Sequence, residues 1–239
     1  MPIKAVEPQR LYRRIAEQIA QLIRRGEYKP GERLPPERDL ARQLAVSRPS
    51  VREALIALEV EGYVEVRVGS GVYVTQRQPH SRRADPPSGD SGPFELIAAR
   101  RLLESECAAL AAKLASPAQI RRMQAALAAM DRDRRRSVMP IENDRRFHLE
   151  VADASGNSAL VLAVRTLWEQ RAGPLFVTLE HHFDTPDLWE SAIAEHRAVM
   201  SAIEHHDPVA ARAAMRRHMD RAAKRFQRSW SATGRHGSH

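Results

Sequence analysis

Two adjoining stretches decide the fold. The first is Tyr28-Lys29-Pro30-Gly31-Glu32-Arg33-Leu34-Pro35-Pro36-Glu37-Arg38-Asp39-Leu40-Ala41, and the second is Ser47-Arg48-Pro49-Ser50-Val51-Arg52-Glu53-Ala54-Leu55. Pro30-Gly31 makes a turn. Pro36 then opens a helix at its first position, with Glu37 and Asp39 where the helix dipole favours negative charge and Leu40 and Leu44 turned inward. After a break at Ala45-Val46, Ser47 is suited to N-cap a second short helix whose Val51, Leu55 and Leu58 face a core.

Upstream, Leu11, Ile15, Ile19, Leu22 and Ile23 recur at the spacing of one helix face, and Gly26 ends that helix. Downstream, Glu61-Gly62 stops the third helix. Tyr63-Val64-Glu65-Val66-Arg67-Val68 and Val72-Tyr73-Val74 are β-rich runs joined by Gly69-Ser70-Gly71, the pattern of a hairpin. Three helices followed by a hairpin predict a winged helix-turn-helix over residues 1–75.

Residues 76–93, QRQPHSRRADPPSGDSGP, hold four prolines, two glycines and three serines with almost no apolar residue, and read as an exposed linker. Beyond it the pattern is helical, with segments expected near 94–115, 117–130, 140–154, 157–172, 187–205 and 208–230. Breaks at Ser116-Pro117, Gly156, Thr185-Pro186 and Asp207-Pro208 separate them. The fold class is therefore mainly α: the winged domain, then an all-α antiparallel bundle of six or seven helices over 94–230. Residues 231–239 form a tail expected to be disordered.

The 239 residues include 38 Lys and Arg against 30 Asp and Glu, a formal charge of +8 spread over both halves. Nucleic acid is thus admissible as a partner, but a DNA-binding claim rests on arrangement and not on net charge. The single cysteine, Cys107, excludes an internal disulfide and a cysteine-based zinc cluster. No run of 18 apolar residues and no signal-peptide core is present, so the expected location is the cytoplasm, without membrane contact.

Arg48 and Arg52 sit four apart at the start of the second helix of the turn, and arginine's fork suits guanine O6 and N7 in the major groove. Ser47 and Ser50 can donate to phosphates, and Arg38 lies on the preceding helix within reach of backbone or groove. In the helical half, Asp144 and His148 leave one face of a helix a turn apart. His196 and His218 lie on two segments joined at Asp207-Pro208, which can bring their imidazoles together. Three imidazoles and one carboxylate suit Zn²⁺, Ni²⁺ or Mn²⁺. On spacing alone, Asp144–His148 reads more readily as a helix-surface pair than as part of a metal site.

Residues 9–75 resemble the N-terminal domain of GntR-family bacterial transcription regulators, through the two stretches quoted first and the Glu61-Gly62 and Gly69-Ser70-Gly71-Val72-Tyr73-Val74 segments. The resemblance implies operator contacts from Arg38, Arg48 and Arg52, and a minor-groove contact at Gly69. Residues 94–222 resemble the ligand-sensing FCD domain of the FadR subgroup. That likeness runs through Ala99-Arg100-Arg101-Leu102-Leu103-Glu104, Asp144-Arg145-Arg146-Phe147-His148, Ala154-Ser155-Gly156-Asn157, Glu195-His196 and Met215-Arg216-Arg217-His218-Met219. It implies a divalent metal, zinc first, on Asp144, His148, His196 and His218. The fatty-acyl-binding branch lacks this set, which argues against acyl-CoA.

The resemblance also implies a small carboxylate or sugar acid as effector, with Arg100 pointing into the cavity and pairing with the ligand carboxylate. Asn157 is a candidate for the pocket wall or for a helix cap, and Arg171 is a further pocket candidate. The run Leu167-Trp168-Glu169-Gln170-Arg171, with Pro174-Leu175 and Trp189, is similar to regulators of hexuronate use. The reading that follows is a metabolite-responsive transcriptional regulator, a repressor, binding a short palindromic double-stranded DNA operator as a homodimer. Two alternatives stand beside it: a regulator whose metal is purely structural, and a metalloenzyme carrying a DNA-binding module. Four protein ligands, with no His-Glu-x-x-His and no P-loop, count against an enzyme.

Overall fold

The periodic segments become helices in the computed structural model, which describes residues 10–67, 70–75, 91–183 and 186–231. The linker residues 76–90, Gly69 and the tail beyond Ser231 lie outside the described residues. Two compact units form, one from segments preceding Pro93 and one over Pro93–Arg228.

In the first unit the helices are α1 (Leu11–Arg24), α2 (Glu37–Leu44) and α3 (Arg48–Val60), followed by strands β1 (Val64–Arg67) and β2 (Gly71–Val74). Helix α1 packs on α3, with Ile15 and Ile19 buried beside Val51, Leu55 and Leu58. Ser47 caps α3 by accepting from the Ser50 amide at 3.3 Å. Pro36 stands at the N-cap of α2, one position earlier than expected, because its ψ of 145° is extended. Helix α2 ends at Ala45, whose φ of +53° turns the chain sharply before α3. An alanine there costs about 1–2 kcal/mol relative to right-handed backbone, supplied by the packing of α2 on α3.

Strands β1 and β2 pair antiparallel, Val64 opposite Val74 and Arg67 opposite Gly71. The 31–34 segment adds to the outer edge: Leu34 N donates to Val72 O at 2.8 Å and Val74 N donates to Glu32 O at 2.9 Å. The alternation of buried Val64 and Val66 with exposed Glu65 and Arg67 gives the wing one face toward the helices.

The second unit contains α4 (Pro93–Leu114), α5 (Pro117–Arg135), α6 (Ile141–Asp153), α7 (Ser158–Gln170), α8 (Pro174–Phe183), α9 (Pro186–Glu204) and α10 (Pro208–Ser231). Among the described residues, seven helices thus form the bundle. The segment between residues 173 and 183, not assigned a helix from sequence, is α8. Its β-branched and aromatic residues are weak helix formers. Pro174 at its start and the burial of Leu175, Phe176 and Leu179 decide the matter through packing. His181 and His182 lie in its last turn. Arg132, Arg134 and Arg135 close the last turn of α5, where cations favour the dipole.

Helix α4 is the central member, touching α6, α7, α8 and α9. Its alanines 108, 109, 111 and 112 are buried and allow close approach, while Arg100 and Glu104 bring charge into the same interior. Ser116 and Gln119 form a capping box at α5, and Asp207 accepts from the amides of Val209 and Ala210 at the start of α10.

Candidate functional site

Asp144 and His148, one turn apart on α6, meet His196 of α9 and His218 of α10 inside the bundle. All four are buried. One ligand atom from each of the three histidines falls within 4.8 Å of the others. His148 Nε2 and His196 Nε2 are 3.1 Å apart, and Asp144 Oδ1 lies 3.0 Å from His196 Nε2 and 3.5 Å from His148 Nε2.

Carboxylates hold the far sides of two rings. Glu104 of α4 faces His148 Nδ1, and Glu195 of α9 accepts from His218 Nδ1 at 2.9 Å. Each leaves Nε2 for the cluster. Burial works against charge on Asp144, but the adjacent His148 and His196 hold its carboxyl well below the usual range. Glu104 likewise loses to burial and gains more from Arg100 and His148, so that it is lowered to about 2. Burial drives His196 and His218 down, and His218 falls further beside the other two imidazoles. Despite its burial, His148 is raised by the adjacent carboxylates Glu104 and Asp144, so an anionic Asp144 faces two imidazoles, His196 and His218, biased toward neutrality.

That donor set fits a divalent cation. Metal–nitrogen bonds of about 2.0–2.1 Å place adjacent donors about 3 Å apart, the spacing seen between Asp144 Oδ1, His148 Nε2 and His196 Nε2. Asp144 Oδ1 is buried and accepts no well-directed hydrogen bond. A buried acceptor left so costs about 1–3 kcal/mol, which a cation removes. The outer carboxylates are those that orient metal-bound histidines elsewhere.

Beside the cluster is a cavity of about 50 Å³ whose walls include Arg100, Asp144, Arg171, Trp189, His218 and Arg225. Arg100, expected to point inward, is buried, donates from Nε to Glu104 Oε1 at 2.6 Å, and stacks 3.9 Å over the Trp168 ring. Arg171 Nη1 donates to Asp144 Oδ2 at 3.0 Å and its Nε to Glu180 Oε1 at 2.7 Å. Trp189 presents a buried indole N–H with no hydrogen-bond partner among the described residues. A second, more open cavity of about 570 Å³ lies between α6, α7 and α8, bordered by Met139, Ile141, Arg145, Trp168, Val177 and Glu180; Arg171 borders both. Asn157 is exposed and N-caps α7, accepting from Ala159 and Leu160, and is absent from the walls of both cavities. Its short amide is used up on the backbone amides.

In the first unit, Ser47 and Arg48 are exposed at the start of α3, and Arg38 is exposed on α2 with 82% of its side chain open. Ser50 is half-buried, its Oγ 2.9 Å from that of Ser47. Arg52 differs from the expectation of a base reader at the surface. Its guanidinium is 1% exposed and donates from Nη2 and Nε to Glu37 Oε2 at 2.6 and 3.0 Å. Glu37 Oε1 takes Arg48 Nε at 2.9 Å. The reason is register: Arg52 follows Val51 and precedes Leu55 on the face that closes against α2, where a buried carboxylate awaits it.

Sequence reasoning did not single out Glu37, Glu104, Glu180, Glu195 or Arg225. Glu37 carried only a helix-dipole signal, Glu104 and Glu195 lay within the FCD-like stretches with no role attached, and Glu180 and Arg225 carried no signal.

Comparison with known proteins identifies both units. Residues 11–74 match the model of bacterial regulatory proteins of the gntR family, and residues 95–221 match the FCD domain. The chain belongs to the GntR family. The Uxu operon transcriptional regulator of Escherichia coli is 39% identical to this GntR-family chain over 93% of it and 89% of that protein. The Exu regulon transcriptional regulator of the same organism is 40% identical over 91% of this chain and 85% of its own. Among solved structures, E. coli McbR/YncC shares the fold with a TM-score of 0.51 at 23% identity, covering 93% of this chain and 99% of that one. This GntR-family protein is a transcription regulator with an FCD domain, not an enzyme. Among the described residues, no helix is long and apolar enough to cross a membrane.

Proposed function

We propose that this regulator is a cytoplasmic homodimeric repressor of a short palindromic operator, released by a small carboxylate or sugar acid that binds beside a divalent metal, zinc first. The observation that carries the reading is the adjacency of two chemistries. Asp144, His148, His196 and His218 converge on one point, and Arg100, Arg171, Arg225 and the Trp189 N–H line the cavity next to it. When bound, the metal supplies an anchor for carboxylate or hydroxyl oxygens. Arg100 and Arg171 offer paired N–H donors to a carboxylate, and Trp189 offers one donor to a hydroxyl. The likeness of Leu167-Trp168-Glu169-Gln170-Arg171, Pro174-Leu175 and Trp189 to regulators of hexuronate use favours a sugar acid. The inner cavity is small for such a ligand, and the outer cavity beyond Arg171 supplies the volume typical of a ligand site.

On the DNA side, Arg38 and Arg48 are the side chains that reach base edges, Ser47 and Ser50 meet phosphates, Gly69 approaches the minor groove, and Arg52 supports α3 from beneath. The test is a thermal-shift screen of the full chain against small carboxylates and sugar acids, before and after chelation, with hits carried into operator-binding anisotropy. A ligand at 100 times its dissociation constant adds about 2.7 kcal/mol of stability. A hit that vanishes on chelation and releases operator supports the reading. Chelation that lowers the melting point while no acid shifts it or moves operator affinity favours a purely structural metal.

A further inference from the structure

Each of the three cavity arginines is tied to the histidine cluster through one carboxylate. Arg100 donates to Glu104, whose other oxygen faces His148 Nδ1. Arg225 Nη1 donates to Glu195 Oε1 and Oε2 at 2.9 and 3.0 Å, and Glu195 Oε2 accepts from His218 Nδ1 at 2.9 Å. Arg171 reaches Asp144 Oδ2, whose Oδ1 lies 3.0 Å from His196 Nε2. Glu104 and Glu195 are both buried, and neither is a candidate ligand.

We propose that Glu104 and Glu195 are positioning residues that couple the effector cavity to the metal centre. They fix His148 and His218 with Nε2 toward the cluster, and they divide their hydrogen-bonding capacity between these imidazoles and Arg100 and Arg225. This inference rests on the metal reading above. A carboxylate shared with a guanidinium holds its histidine less strongly than one that serves the histidine alone. When an anionic ligand draws the arginine toward itself, the glutamate turns its full charge on the imidazole N–H, and the imidazole becomes a stronger donor to the metal. Anion binding at the arginines therefore tightens metal binding, and by linkage the metal tightens anion binding by the same factor.

The experiment needs no effector. Zn²⁺ affinity is measured on the full chain by competition with a chromophoric chelator, for the wild type, Arg100→Gln, Glu104→Gln and the double variant. Glu104→Gln is expected to weaken Zn²⁺ about 10–100-fold, as loss of an outer carboxylate does elsewhere. Arg100→Gln is expected to tighten it by at least about threefold, an effect that disappears in the Glu104→Gln background because the two act as one unit. An equal gain from Arg100→Gln in both backgrounds would mean simple repulsion through space and would overturn the relay. Unchanged Zn²⁺ affinity in Glu104→Gln with a lowered melting point would reduce Glu104 to a packing role. The same cycle with Arg225→Gln and Glu195→Gln keeps the test open if residue 100 proves essential for folding, since Arg225 is more exposed than Arg100. Failure of the wild type to bind one Zn²⁺ per chain would instead sink the metal reading itself.

Discussion

Replacing Arg52 by alanine separates two roles for this side chain, structural support and base reading. The guanidinium is almost wholly buried and donates twice to Glu37 Oε2, and the Glu37 carboxylate is itself 4% exposed. Breaking a buried pair by removing one partner costs about 3–5 kcal/mol, because the other charge stays desolvated. Arg48 continues to serve Glu37 from a half-exposed position, which places the expected loss near the lower end, about 3 kcal/mol. Hydrogen exchange of the full chain, followed by mass spectrometry on α3 peptides, reads this directly. Protection at Val51–Leu58 should fall about a hundredfold, while peptides of the helical unit keep theirs. Arg48→Ala should behave in the opposite way, with α3 protection within about threefold of wild type and a loss of about 1–3 kcal/mol in discrimination between operator and mismatched DNA. If Arg52→Ala retains α3 protection and instead loses base preference, the Glu37 pair contributes little and Arg52 reads DNA after all.

Three further outcomes are expected. Asn157→Ala removes the α7 cap and should lower stability by about 1 kcal/mol in chemical denaturation, leaving effector and Zn²⁺ affinities unmoved. A β-carbon at position 71 would sit 2.5 Å from Arg33 Nε on a backbone with φ of +131°, so Gly71→Ala should cost about 1–3 kcal/mol and selectively unprotect the hairpin amides in hydrogen exchange. Burial, aided by the charge of Glu104, pushes the Cys107 thiol up to about 12; native protein at pH 8 should leave Ellman's reagent unreacted, while guanidinium-unfolded protein releases one equivalent.

What the sequence by itself determined is the local grammar and which residues could gather in the cluster. Ser47 caps α3 where the pattern placed it, the 64–74 hairpin pairs as the β-rich runs imply, and the breaks before Pro117 and Pro208 bound helices. Asp144 and His148 share a helix face because their spacing is one turn, a purely local fact. Tertiary structure alone decided the rest. Helix α8 forms because Leu175, Phe176 and Leu179 find a core, although Phe176, Val177 and Thr178 are weak helix formers. Arg52 carries the same charge as Arg48, yet lies buried, since burial depends on which side of α3 faces α2 and on a carboxylate fifteen residues away. Glu104 and Glu195 lie 44 and 23 residues from the histidines they hold. Side chains so far apart along the chain carry no mark of their pairing until helix packing brings them within hydrogen-bond reach, and it is packing that turns scattered glutamates into parts of one site.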